Sequence, residues 1–269
     1  MKHPIILAGL LLLALSCQSQ SSGESPSASE QGFTHPGILH TTEDLARIKS
    51  LVDNKVEPAY GSYGLLSSDP KASADYRIQG PFEIISRADE YGWTKKPCED
   101  DFNAAYYNAL MWTITGETAH ADKAMEIIRK YSAVLRKITP RDDPLCAGLQ
   151  GFIIVNAAEL MRWTYPAGKF EGGWTDEDTR SMETMLREAF IPVFTKFHTD
   201  PAYTNGNWGL SVLKGMIGMA VFLDDSAMYR EAVDRYQFLL DKYKNIYEKN
   251  HKLKYKIILL KIKKVINKL

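Results

Sequence analysis

Apolar residues recur every three or four positions through most of the chain after Asp101, which is the spacing of an amphipathic α-helix. The positions sharing a helix face form six groups: Phe102, Tyr106, Ala109 and Thr113; Ala121, Ile128 and Leu135; Leu149, Ile153 and Leu160; Met182, Met185 and Phe190; Trp208, Val212 and Met219; and Met228, Tyr236 and Leu239. An earlier group predicts a helix that Thr41 or Thr42 caps. No strand pattern of useful length accompanies them, so we predict an all-α fold.

Helix boundaries are marked by turn and capping residues. Gly116 is suited to end one helix in a left-handed cap, and Thr118 to begin the next. Thr175, followed by three acidic residues, is a strong start signal. Pro192 is expected to kink or end the helix that starts there, because proline lacks an N–H and clashes with the preceding turn.

Two of the predicted hairpins resemble each other. Ala109–Ser132 can be laid over Ile217–Leu240, and Gly116-Glu117-Thr118 then falls on Asp224-Asp225-Ser226. Repeated helical hairpins build toroids and solenoids. We therefore expect an incomplete (α/α) toroid of helical hairpins.

The two ends of the chain differ from this helical domain, which we place at residues 33–248. Residues 1–17 have a basic start and a short apolar run and predict a lipoprotein-type signal peptide with Cys17 as the lipidated residue; the alternative is an ordinary cleaved signal. Residues 18–32 are polar and predict a flexible tether. Residues 249–269 are rich in Lys and Ile, and predict either an aberrant tail or a basic helix on a membrane. We expect export to the periplasm or outer membrane, with membrane contact only through Cys17.

Charge and cysteine usage exclude several functions. Without the eight lysines of the tail and Lys2, 24 basic residues face 33 acidic ones, a net charge of −9 that argues against nucleic acid as a partner. Cys98 and Cys146 could pair in an exported protein or remain free. No Cys/His cluster has zinc spacing and no Gly-rich phosphate loop is present, so we expect neither metal nor cofactor.

The stretch from Tyr203 to Gly209 is the first candidate for a functional site. Its asparagines and glycine break one helix, and Asn207 then opens the next, whose first turn has free N–H groups and a partial positive charge. An anionic group could bind there. The alternative is a plain loop, with Asn205 as the N-cap and Trp208 in the core.

Ordered landmarks from about Phe33 to Tyr247 resemble the alginate-lyase-like polysaccharide lyases of bacteria. The pieces that carry the resemblance are His35-Pro36-Gly37-Ile38-Leu39-His40-Thr41, Asn103-Ala104-Ala105-Tyr106-Tyr107-Asn108-Ala109-Leu110, Trp112, Thr115-Gly116, Ala121-Asp122-Lys123-Ala124, Gly148-Leu149-Gln150-Gly151-Phe152, Asn156-Ala157-Ala158-Glu159-Leu160-Met161-Arg162 and Asn207-Trp208. The resemblance implies an (α/α) toroid and β-elimination on a uronic-acid polymer, an acidic polysaccharide. Such chemistry needs hydrogen-bond donors on the substrate carboxylate, with a Tyr or His as base and a Tyr as acid.

The resemblance assigns Asn207 to the substrate carboxylate. Tyr203 lies where relatives often carry His and is an acid/base candidate, and His198 is a plausible base. The candidates for substrate binding are Gln150, Asn156, Trp208, Tyr107 and Arg162. A structural role is the alternative for these residues. The amides could be hydrogen-bonded between helices, the aromatic residues could belong to the core, and His198 and Arg162 could simply stand at helix ends.

Relatives carry a second half with a further Arg, Asp and His motif and a catalytic Tyr, which does not occur after Asn207 here. We therefore expect a truncated, weak or inactive lyase. One rival is a glycoside hydrolase, for which the acidic residues Glu99, Asp100 and Asp101 would be needed. Another is a non-catalytic glycan-binding lipoprotein that stacks sugars on tryptophans, namely Trp93, Trp112, Trp174 and Trp208.

Overall fold

The computed structural model describes residues 32–199, 206–250 and 263, with side chains described through residue 242 and at 263. Cys17, Tyr203 and the predicted tether lie outside the described residues or at their edge. The described helices are α1 (Thr42–Asp53), α2 (Ala59–Ser68), α3 (Lys95–Thr115), α4 (Thr118–Val134), α5 (Asp143–Thr164), α6 (Asp176–Met185), α7 (Ile191–His198), α8 (Asn207–Phe222) and α9 (Ser226–Asn250). A two-residue parallel pair, β1 (Ile84–Ile85) and β2 (Lys137–Ile138), accompanies them. The all-α prediction is confirmed.

The predicted caps begin and end these helices. The hydroxyl of Thr41 accepts from the N–H of Asp44 at the start of α1, and Thr175 does the same for Asp178 at the start of α6. In both, the acidic side chain accepts in return from the threonine N–H, which completes a capping box. Gly116 ends α3 with a φ of 77°, in the left-handed region that glycine adopts without strain.

Helices α3, α5 and α8 run parallel to one another and form an inner row. Near their C-terminal ends, Trp112 of α3 donates to the hydroxyl of Thr164 of α5 at 3.1 Å. Near their N-terminal ends, Gly148 of α5 lies against the backbone of Ser211 of α8, and the far end of α5 meets the last residue of α8 through Arg162. The N-terminal ends of α5 and α8 therefore face the same way.

The other long helices form a second row that runs opposite to the first. Arg129 of α4 pairs with Asp178 of α6 at 2.7 Å. Three residues later in each helix, the hydroxyl of Ser181 donates to the hydroxyl of Ser132, so α4 and α6 are parallel. Helices α3 and α4 form one hairpin, and α8 and α9 form another. At the matching turn position of this second hairpin Asp224 has a φ of 53°, so the predicted internal repeat also appears in the backbone. Alternating rows are how a toroid is built, and the incomplete toroid stays a prediction.

The regular α-helix α6 ends at Met185, before Pro192, as predicted, and the chain beyond it stays helical. A π-helical turn over Leu186–Phe190 joins α6 to α7, and the N–H of Ile191 bonds to the carbonyl of Leu186, five residues earlier. The wider turn accommodates proline, which has no N–H to place in the regular ladder. The helical path therefore continues to His198.

Helix α5 is the centre of the core. It is the one helix of the described residues that is long and apolar enough to cross a membrane by length and composition, and 78% of its most apolar window is buried inside the protein. Its neighbours α3 and α8 supply that burial. The apolar composition of α5 is therefore that of a core helix.

The N-terminal segment before α1 is held against this core by His35. Its Nδ1 lies 2.7 Å from a carboxylate oxygen of Glu159 on α5, its Nε2 lies 3.2 Å from Asp224, and its ring stacks on Trp163. Burial lowers the pKa of His35, but the hydrogen bonds and charges of the two carboxylates outweigh it, so the net effect is a pKa raised above 6.5.

We predict that His35 stabilises the fold in acid more than in base. Because its folded-state pKa is raised, the contribution is complete below about 6.5 and is lost as the pH rises through the folded-state value. The melting temperatures of wild type and His35→Gln should therefore differ more at pH 6 than at pH 9. His120, whose pKa is lowered by burial, should show the opposite trend in His120→Gln. A His35→Gln difference that does not change with pH would contradict the ion-pair account.

Candidate functional site

The start of α8 presents Asn207 to solvent. Gly206 is the N-cap, in an extended conformation, and it has no side chain with which to cap the first turn. Asn207 is exposed, and Trp208 is half-buried against the core. Asn205, the N-cap in the alternative, lies outside the described residues.

A cavity of about 390 Å³ lies beside this helix start, within the size range of ligand pockets. It is formed where α5 and α8 begin and α7 ends. Its lining includes Asp143, Pro144, Lys196, Phe197, Thr199 and Trp208. Burial raises the pKa of Asp143. The cavity combines a cation, a carboxyl group and aromatic surface, which suits a polar ligand such as a sugar.

His198 lies at a second cavity, of about 400 Å³, between α7 and α9. Its neighbours there include Glu231 and Arg235, and Thr199 lines both cavities. Burial, and secondarily the charge of Arg235, lower the pKa of His198 to about 4. The imidazole is therefore neutral near pH 7 and able to accept a proton, but it is a weak base.

The two amides predicted to line a cleft are buried. Gln150 is 5% exposed and Asn156 is 2% exposed. Asn156 donates to the carbonyl of Phe152 in its own helix at 2.6 Å, which favours the structural alternative for this residue. The side-chain oxygen of Gln150 has no hydrogen-bond partner among the described residues.

Arg162 and Tyr107 have contacts within the protein. The Arg162 guanidinium donates to the carbonyl of Phe222 at 3.0 Å and lies 5.2 Å from the ring centroids of Trp163 and Phe222, so it holds the end of α8. Tyr107 is half-buried, with the amine of Lys71 6.0 Å from its ring centroid. These contacts give each residue a structural role whatever it does with substrate.

A histidine–tyrosine pair was missed by the sequence analysis. His40 Nε2 lies 2.7 Å from the hydroxyl of Tyr106 on α3, and both side chains are half-buried. Burial raises the pKa of Tyr106. Such a pair can pass a proton between imidazole and phenol. Both residues belong to stretches that carry the family resemblance, but 66 positions separate them.

Lys214 was also missed. It follows Asn207 by seven residues on α8, and its amine lies 4.6 Å from the ring centroid of Phe152 on α5. Burial lowers the pKa of Lys214. Between the two, Ser211 is 9% exposed, and its hydroxyl has no hydrogen-bond partner among the described residues. Helical spacing alone could have placed the three on one face, but the burial of Ser211 and Lys214 depends on α5.

The acidic residues that a hydrolase would need serve the fold. Asp101 is fully buried and accepts four hydrogen bonds from protein groups. Glu99 pairs with Arg87 at 2.9 Å, and Asp100 pairs with Lys96. None of the three is a carboxyl group free to face a glycosidic bond.

The tryptophans proposed as sugar platforms differ in exposure. Trp93 is 64% exposed, whereas Trp174 is 6% exposed and donates to the hydroxyl of Thr179. Trp112 also packs in the interior and bonds to Thr164. Of these, Trp93 has a ring face available to a sugar.

Within the described part of the chain, no group of three or more His, Cys, Asp or Glu side chains is arranged to hold a metal ion. Cys98 and Cys146 are both buried and free, so the pairing that the sequence left open is not formed. Burial raises the pKa of the Cys146 thiol to about 12. A thiol of this kind stays protonated near neutral pH and packs as an apolar group.

Comparison with protein families gives a match over most of the helical domain. The alginate lyase family matches residues 58–244, which is more than half of the chain and includes α2 to α8 and most of α9. A search of the curated proteins finds no match.

Proposed function

Because this chain belongs to the alginate lyase family, we propose that it is a polysaccharide lyase that cleaves a uronic-acid polymer by β-elimination. The family match over residues 58–244 is the observation that carries the proposal. The exposed amide at the start of α8 supports it, since the reaction needs donors where the sugar carboxylate sits.

The proposed reaction breaks a bond without water. A base removes the proton from the carbon next to the carboxylate, the electrons form a carbon–carbon double bond, and the bond to the 4-oxygen breaks. An acid then protonates the leaving oxygen. Because the neighbouring carboxylate is negatively charged, the proton is weakly acidic until donors neutralise that charge. Asn207 supplies one amide donor in our assignment, next to the N–H groups of the first turn.

For proton transfer we propose Tyr203, four residues before Asn207, with the His40–Tyr106 pair as the second candidate. His198 is less suited, because it lies between α7 and α9 and its lowered pKa makes it a weak base. Comparing Tyr203→Phe with Tyr106→Phe would distinguish them, since only loss of the true acid or base removes turnover while leaving polymer binding intact.

The proposal is tested by incubating the full chain with alginate, glucuronan and chondroitin at several pH values. A lyase leaves an unsaturated sugar that absorbs in the near ultraviolet, so absorbance should rise with time. New reducing ends without that absorbance would indicate a glycoside hydrolase instead. Binding without any new end would favour a glycan-binding protein, the reading that the exposed ring of Trp93 supports.

We also propose that Cys17 anchors the protein to a membrane by a lipid, because the apolar run before it ends in small residues. The expected mature N-terminus is a lipid-modified Cys17, detectable by mass spectrometry. Cys17→Ser should leave the membrane fraction. A mature chain that begins elsewhere without modification would refute the anchor, as would a serine variant that stays with the membrane.

A further inference from the structure

Lys214 lies on the face of α8 that begins with Asn207. Positions 207, 211 and 214 are spaced by four and then three residues, so their side chains follow one stripe along the helix. At 1.5 Å per residue, Lys214 stands about 10 Å along the axis from Asn207. One carboxylate cannot reach both residues, but two sugars of one polymer could.

The amine of Lys214 is an isolated cation. It lies 4.6 Å from the centroid of the Phe152 ring, and no described carboxylate forms an ion pair with it. The aromatic face offsets part of the cost of taking the charge out of water. Burial without an anion remains costly and lowers the pKa of the amine. By contrast Lys130, on α4, pairs with Glu126 at 2.7 Å.

Ser211, one turn before Lys214, takes no part in this site. Its hydroxyl oxygen is buried, and a Cβ on Gly148 would lie 2.8 Å from it, so the hydroxyl packs against α5 where a polymer does not reach. The Lys214 ammonium group alone, without an anion among the described residues, matches the need of a carboxylate for a charged donor.

We infer that Lys214 binds a second carboxylate of the polymer, on a sugar further along than the one that Asn207 holds. The inference rests on the proposed function. It makes Lys214 a residue that selects for uronic acid at a neighbouring sugar, and it assigns Lys214 no part in proton transfer.

The test measures binding apart from turnover. Calorimetry with the full chain would compare an oligouronate with the same oligosaccharide after reduction of its carboxyl groups. Lys214→Met keeps the apolar stem over Phe152 and removes the charge, Lys214→Arg keeps the charge, and Lys130→Met is the matched control on α4. Melting curves confirm that each variant is folded. The comparison of the oligouronate with the reduced oligosaccharide can also be made on the wild type alone, so this part of the test does not depend on any variant folding.

We expect Lys214→Met to weaken binding of the oligouronate by about tenfold, as for loss of one charged hydrogen bond, with no change for the reduced oligosaccharide. Lys214→Arg and Lys130→Met should stay close to wild type. Equal affinity of wild type and Lys214→Met would overturn the inference, as would a wild type that binds both oligosaccharides alike or neither. If the protein has lyase activity but Lys214→Met binds the oligouronate as well as the wild type does, only this inference fails. If Lys214→Met weakens binding but the wild type forms no unsaturated product, only the proposed reaction fails.

Discussion

Asn207→Ala is expected to lower turnover of a uronic-acid polymer by about 10²–10³, as for the loss of one donor to a developing oxyanion. The residue stands exposed in the first turn of α8, directly after the N-cap Gly206. Because an exposed side chain contributes little to packing, the free energy of unfolding should change by less than about 0.5 kcal/mol. Initial rates from near-ultraviolet absorbance and a denaturation curve measure the two effects.

Two further variants sharpen this test. Asn207→Asp has nearly the same shape but adds a negative charge beside the substrate carboxylate, so it should be at least as slow as Asn207→Ala. Asn54→Ala removes another asparagine at a helix end, the C-cap of α1, and should leave turnover unchanged. If Asn207→Ala turns over at nearly the wild-type rate, Asn207 only begins a helix, and the catalytic site lies elsewhere.

Of the substitutions considered, Asp101→Ala should lower the free energy of unfolding most, by about 3–5 kcal/mol. The carboxylate is fully buried and accepts from the hydroxyls of Tyr76 and Tyr131 at 2.8 and 2.7 Å, and from the N–H groups of Gln79 and Gly80 at 3.0 and 2.8 Å. Alanine leaves these four donors without an acceptor in a place that water does not reach. Urea denaturation of wild type and variant measures the difference in the free energy of unfolding, provided that the dependence of this free energy on urea concentration is the same for both.

Asp100→Ala is the matched control for Asp101→Ala. Asp100 is the next residue of the same helix, and its ion pair is with Lys96, whose side chain is 73% exposed. Pairs of this kind contribute at most about 1 kcal/mol. The comparison also tests the hydrolase alternative. A catalytic Asp101 would lose activity on mutation and keep its stability, whereas a structural Asp101 loses stability first.

The helices were predictable because their signals are local. Thr41 and Thr175 cap helices through residues three positions away, and Gly116 ends α3 within its own turn. The π-helical turn before Pro192 was not predictable, because such a turn leaves no mark in the apolar spacing.

The candidate site was less predictable because its contacts join distant parts of the chain. Lys214 meets Phe152, and His40 meets Tyr106, across 62 and 66 positions. Helical spacing places a residue on a face, but it does not say which helix covers that face. The same limit applies to Arg162, whose partner Phe222 lies 60 positions away. The start of a helix at Asn207 could be predicted because it is a local feature.

The close contact of α5 and α8 has a consequence for how the site can move. Gly148 lies against Ser211, and a Cβ on Gly215 would in turn stand 3.2 Å from the Cα of Gly148. Backbones that meet through glycine interlock, and sliding either helix by one residue would bring side chains into the contact. The contact therefore opposes sliding of α8 along α5. Asn207 and Lys214 both stand on α8, so that helix fixes the distance between the two carboxylates that we propose they bind, before any polymer arrives.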